Sequence, residues 1–299
     1  MSFIHKINKL FSKNKSNDII GVSLQPDSLS YCYRPLNASP VCQNIIKPRM
    51  SASFSALADE VGGNGLCHIV LSAGQYQIVQ VDKPNVPDTE INLALKWQVK
   101  DLVPFKPDNM VVDYFDGPQL SNNVEKINVV CADLKELTAI VEHVTQYQLD
   151  IALITTVEFA FAQLIPQSDV ATLLVCQHAN EDLLILIVKQ GKIFFQRRIR
   201  GLAQISHKTE EELLMGSVDM LSLEIQRSTD YFERQLKQAP IKEIQVILPM
   251  DNEAFLVRKV SENTNVPVNL LSMPEGFEEY RKFPCAVGAS MLSSMEVDV

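Results

Sequence analysis

Six cysteines, five histidines and two short runs of charge are the places where this chain of 299 residues could do chemistry. Cys32, Cys42, Cys67, Cys131, Cys176 and Cys285 form no Cys-x-x-Cys pair, and most lie inside apolar, strand-like runs. They read as reduced, buried thiols. His5, His68, His143, His178 and His207 are equally dispersed, and their spacing assembles neither a zinc set nor a Cys/His nucleophile. Glu210, Glu211 and Glu212 form a carboxylate run. Acid–base work or metal binding would need a second positioned group, and none is spaced to meet them, so the run reads as a solvated helix start. Arg197, Arg198 and Arg200 could hold an anion, but a basic edge strand that resists aggregation is the commoner use of such a run. No metal and no cofactor is expected from these residues.

The elements that would position such groups belong to a globular protein. With 46% hydrophobic and 21% charged residues the chain can bury a large core, as one large or two medium domains. A formal net charge of −9 gives no general attraction to phosphate backbones, which argues against nucleic acid as a partner. The longest unbroken apolar stretch, residues 183–188, is far below the roughly 18 residues of a spanning helix, and no cleavage site follows an N-terminal apolar core. A cytoplasmic location is expected. Residues 1–17 stand apart: Phe3, Ile4, Ile7, Leu10 and Phe11 recur at helical spacing, with Lys6, Lys9, Lys13 and Lys15 between them. The segment reads either as an interfacial helix for an anionic membrane surface or as a terminus packed on its own domain.

Two apolar runs around a Pro26-Asp27 turn predict a hairpin over residues 19–33, and further strands follow at 67–71 and 76–81. A helix is expected over 89–102, with Ile91, Leu95, Gln98 and Leu102 on one face, Thr89 near its cap and Pro104 ending it. Strands at 110–115 and 126–131 and a helix at 134–147 make a small α+β unit. After 151–154 and 158–164, residues 166–169 form the best boundary. The second half opens like the first, with strands at 172–176, 183–188 and 192–198, then a helix at 214–236, a strand at 244–248 and a helix at 255–264. Alternating strands and helices argue for an α/β protein, and the echo between halves argues that they are related.

The segments LVPFKPDNMVVDYF (102–115) and LSLEIQRSTDYFERQL (221–236) resemble the PilM family of type IV pilus assembly. The first is similar to that family's helix, Pro-Phe and Asp-Tyr strand; the second to its long helix with a Gln-Arg-Ser pattern, here Gln226, Arg227 and Ser228. The resemblance runs from about Ile19 to Met291. It implies an actin-like, FtsA/PilM-type α/β fold of two domains. Residues 18–87 and 151–166 would form the first subdomain, 88–150 an inserted α+β subdomain, and 167–299 the second, its own small subdomain reduced because little chain lies between Gly201 and Met215.

Relatives with this fold grip nucleotide phosphates in two Asp-x-Gly hairpin turns. Here those places fall on Ser23 and Gln25, followed by Pro26 with no N–H to donate, and on Cys176 and His178. Cys176 offers Mg²⁺ no hard oxygen, and Gln25 and His178 would crowd a close phosphate. The adenosine-contacting Gly-Gly turn falls on Pro249, Met250, Asp251 and Asn252. The resemblance therefore implies a scaffold without ATPase activity, peripheral to the inner membrane. Its partner would be the cytoplasmic tail of a PilN-like bitopic membrane protein, with a pilus assembly ATPase as a further contact. Leu93, Trp97 and Phe105 are the candidate tail-binding residues, although packing between subdomains is the commoner role for a residue such as Trp97. The alternatives are an actin-like ATPase with an atypical site and, without a recognisable catalytic Asp, a sugar-kinase relative.

Overall fold

A computed structural model describes residues 18–63, 65–117 and 125–293, so the basic segment 1–17 lies outside the described residues. The described residues form two units: the first holds 18–63, 65–117, 125–160 and 279–293, and the second holds 161–278.

The first unit opens with β1 (Ile19–Leu24), β2 (Ser28–Arg34), β3 (Val41–Ile46), α1 (Met50–Glu60) and β4 (Leu66–Val70). β5 (Tyr76–Asp82), α2 (Asp88–Val99), β6 (Met110–Asp116), β7 (Lys126–Asp133) and α3 (Leu134–Gln146) follow. β8 (Asp150–Thr155) and α4 (Val157–Ala162) then lead to the boundary. Five strands join in the order β3-β2-β1-β4-β8, with β1 antiparallel to β2 and parallel to β4. β5, β7 and β6 make a separate antiparallel sheet. The insert therefore starts at β5, earlier than residue 88, because Tyr76–Asp82 pairs along its whole length with β7.

The second unit comprises β9 (Thr172–Cys176), β10 (Leu183–Lys189), β11 (Lys192–Ile199), α5 (Glu210–Glu212), α6 (Val218–Asp230), β12 (Glu243–Ile247), α7 (Glu253–Ser261) and β13 (Val268–Leu270). Its sheet order, β11-β10-β9-β12-β13, repeats that of the first sheet, with the same antiparallel and parallel neighbours around its opening strand. β10 is buried almost throughout, as its unbroken LLILIV run requires, and Leu173, Val175, Ile185 and Ile187 pack with Leu221, Ile225 and Phe232 in one core.

Finally α8 (Pro284–Met291) returns to the first unit and lies on β1, β2 and β4. This corrects the expectation that residues 167–299 all belong to the second half. Gly21 makes the approach possible: a Cβ there would sit 2.5 Å from Ser290 N and closer still to Ala286 O. Gly288 answers it from the helix, its missing Cβ admitting the backbone carbonyl of Ala160. His68 Nδ1 lies 2.9 Å from Ala289 O, and Arg34 Nη1 donates to Ser290 O at 2.6 Å, so two side chains satisfy carbonyls at the helix end.

Two helices differ from their sequence expectation. α2 ends at Val99 and buries Ile91, Leu95 and Val99, an i, i+4, i+8 row; Gln98 faces out and donates to Asp82 O, and Leu102 lies beyond the helix, exposed. Pro87 occupies the cap position, so Thr89 caps nothing. The helix expected at 214–236 instead starts at Glu210, where Thr209 and Glu212 bond each other's backbone N–H at 3.2 and 2.8 Å. It then kinks at Met215 and Gly216, the latter at φ 102°.

Candidate functional site

The first hairpin turn is short and closed on itself. Gln25 N–H donates to Ser28 O at 2.9 Å, and Ser28 Oγ donates to Gln25 Oε1 at 2.7 Å. Ser23 is buried in β1, and Pro26 and Asp27 form the exposed apex. Of the groups an anion would seek, one N–H is missing at Pro26, one is spent at Gln25, and Asp27 adds a carboxylate.

The second turn, between β9 and β10, is filled by its own side chains. The Gln177 amide donates to Glu181 O and Ala203 O, each at 2.8 Å, and accepts from Ser206 Oγ. His178 Nδ1 lies 3.1 Å from Glu181 Oε1, and Arg198 Nη1 lies 3.5 Å from Glu181 Oε2. Glu181 thus sits between two nitrogen bases with only 9% of its side chain exposed. Asn180 turns the chain at φ 62°. In the third place, Glu253 is buried and accepts from Leu248 N–H at 2.7 Å, which suits a carboxylate in the first turn of α7, and Asn252 Nδ2 donates to Lys208 O at 3.1 Å.

The inserted sheet offers a different surface. α2 covers one side through Ile91, Leu95 and Val99, and Phe105 packs against the same core. Leu93 and Trp97, one turn apart on the outward side of α2, are 63% and 57% exposed, and Lys100 Nζ sits 5.8 Å from the Trp97 ring centre. The structure therefore places Leu93 and Trp97 on one exposed face of α2, whereas Phe105 is partly buried against the insert's core.

Edge strand β6 lines a narrow crevice with the end of β8 and the start of α4, formed by Asp113, Tyr114, Phe115, Val130, Thr155, Thr156 and Phe159. Phe115 and Phe159 meet edge to face at 5.0 Å between ring centres. Thr156 Oγ1 is buried there without a hydrogen-bond partner. Tyr114 N–H is taken by Asp113 Oδ1 at 2.8 Å. Nearby, Tyr76 donates its hydroxyl to buried Glu158 at 2.6 Å and accepts from Val157 N–H, tying the insert to α4. Sequence reasoning missed Thr155, Thr156 and Phe159. The Thr-Thr pair between an apolar strand and a helix was the available signal, whereas its meeting with β6 is tertiary.

No protein-family model and no curated protein matches the sequence. Among solved structures, the chain is similar to a PilM–PilN type IV pilus biogenesis complex, with TM-score 0.65 and 15% identity over 91% of this chain and 97% of the other. It is also similar to the cytoplasmic domain of EpsL, an inner-membrane component of the Vibrio cholerae type II secretion system, with TM-score 0.52 and 11% identity over 84% and 97%. A Bacteroides thetaiotaomicron protein with an actin-like ATPase fold matches at TM-score 0.46 and 9% identity over 88% and 94%. At such identities the likeness is one of fold, and the fold is actin-like.

Proposed function

We propose that the protein is a PilM-like scaffold at the cytoplasmic face of a type IV pilus assembly platform, within that family of the MSHA (mannose-sensitive haemagglutinin) or MshI type. In this reading it receives the cytoplasmic tail of a PilN-like membrane protein beside the inserted sheet. The observation that carries it is the crevice between edge strand β6 and the β8–α4 junction, which offers backbone groups, a free Thr156 hydroxyl and apolar rings to an extended peptide. The exposed Leu93–Trp97 pair on α2 supplies a further apolar contact. Fold likeness to the PilM–PilN complex supports the choice of partner.

We propose equally that the protein is no ATPase. Gln25 and Ser28 bond each other across the first turn, and Gln177, His178 and Glu181 occupy the second with one another. Titration of a fluorescent PilN-like tail tests the scaffold role. Trp97→Ala should weaken binding by about 2 kcal/mol while circular dichroism stays unchanged, and Thr156→Arg should block the crevice. Failure of the wild type to bind any such tail overturns the assignment. Calorimetry with Mg²⁺ and ATP tests the second claim, and micromolar, Mg²⁺-dependent binding refutes it.

A further inference from the structure

Strand β3 forms one edge of the first sheet and carries Cys42 directly across from Cys32 of β2. Antiparallel neighbours in register have Cα atoms about 4.5–5.5 Å apart, inside the roughly 4.4–6.8 Å span of disulfides. The ladder runs on both sides of the pair, from Ser28↔Ile46 to Tyr33↔Val41, so joining the sulfurs needs rotation of side chains and not movement of backbone. Facing residues of an antiparallel pair project from the same face of the sheet, so the two side chains are neighbours.

No other strand-borne cysteine has this arrangement. Cys67 faces Ile20 and Ile151, Cys131 faces Gln77 and Val112, and Cys176 faces Leu184 and Ile247. We propose that Cys32 and Cys42 are a modification site, a dithiol that a peroxide converts to a cross-strand disulfide, stapling β3 to β2.

The surroundings assign the two sulfurs different parts. The neighbouring Cys42 thiol holds the Cys32 thiol below its ordinary pKa, helped by the positive charge of Arg34, against the opposing effect of burial. Cys42 is pushed the other way, by its neighbour Cys32 and by burial, and keeps its proton. Both sulfurs are buried, so peroxide reaches them when edge strand β3 opens locally, and Cys32, the more readily ionised of the two, is then the attacking group. It attacks one oxygen of hydrogen peroxide, forming S–O and breaking O–O, and the departing hydroxide takes up a proton as water. Cys42 sulfur then displaces hydroxide from the sulfenic acid, and its proton leaves with that hydroxide as a second water. Two thiols lose two electrons and peroxide gains them. Cys67 and Cys131, each pushed up to about 12 by burial, are poor competitors.

The test treats the folded full-length chain with hydrogen peroxide, removes the peroxide, unfolds the chain in urea, blocks remaining thiols by alkylation and maps peptides by mass spectrometry. The expected product is a Cys32–Cys42 linked peptide lighter by two hydrogens and restored by dithiothreitol, with Cys67, Cys131, Cys176 and Cys285 still alkylated. In Cys42→Ser, Cys32 should stop at a sulfenic acid that a 1,3-diketone traps. In Cys32→Ser, Cys42 should stay a thiol under the same dose. Recovery of Cys32 as free thiol in the wild type, over-oxidation of Cys32 without a link, or linkage scattered among all the cysteines would each overturn the proposal.

Discussion

The two five-stranded sheets share strand order and direction, yet their opening hairpins are closed by different means. The first turn uses a pair of local bonds between Gln25 and Ser28; the second uses a buried amide and a His178–Glu181–Arg198 cluster. The strands diverge as well. Counting back two residues from Ser23 and from Cys176, β1 has Gly21 under the backbone of α8, whereas β9 has the buried side chain of Leu174. Topology is set by alternating burial and short connections, which many side chains satisfy. What fills a turn or crosses a strand is set by particular contacts, and there two copies of one plan are free to part.

Breaking the closest of those contacts should have the largest effect. Gly21→Val drives a side chain into the backbone of α8 and should cost about 3 kcal/mol, read as a lower urea midpoint and faster hydrogen exchange in β1, β4 and α8. Exchange in β9 and β10 is the control, and unchanged exchange in α8 would show that the helix can step aside. In the second unit, Glu181→Ala removes the carboxylate that the buried His178 and the partly buried Arg198 share, for an expected loss of about 2 kcal/mol. The matching change in the first turn, Ser28→Ala, should cost under about 0.5 kcal/mol. Equal costs would erase the contrast between the two hairpins.

A further effect is one of pH. Burial pushes the His68 imidazole below its ordinary value, so the folded chain keeps it neutral where the unfolded chain takes up a proton. Its contribution is complete above about pH 6.5 and is lost as pH falls through the lowered folded value, by up to about 1.4 kcal/mol per unit between the two. His68→Asn should flatten that part of the stability curve. An unchanged slope would mean that another group carries it.

Much of this was legible in the chain. β9, β10 and β11 are continuous apolar or alternating runs bounded by turn residues, and their expected spans nearly coincide with the strands. β3 was not legible, because in VCQNII only Cys42 and Ile45 are buried, too few to mark a period of two. α8 was not either. Its PCAVGASM sequence is built from small residues and contains a glycine, which argues against a helix until its near-complete burial on the first sheet is seen. For the site, Asp113 to Phe115 stood in the segment that carried the resemblance, while Thr155, Thr156 and Phe159 entered only through packing. Leu93 and Trp97 lie off the buried row of α2, since an i, i+4 row leaves the residue two places on facing away.

The return of α8 sets an order on synthesis. A nascent chain leaves the ribosome from its N-terminus, and the second unit, residues 161–278, is complete before any part of α8 has emerged. Until then β1 presents Gly21 and its neighbours with no helix over them, and the hydrogen-bonding ends of His68 and Arg34 wait for carbonyls at positions 289 and 290. The half of the protein that is made first is therefore the half that is finished last.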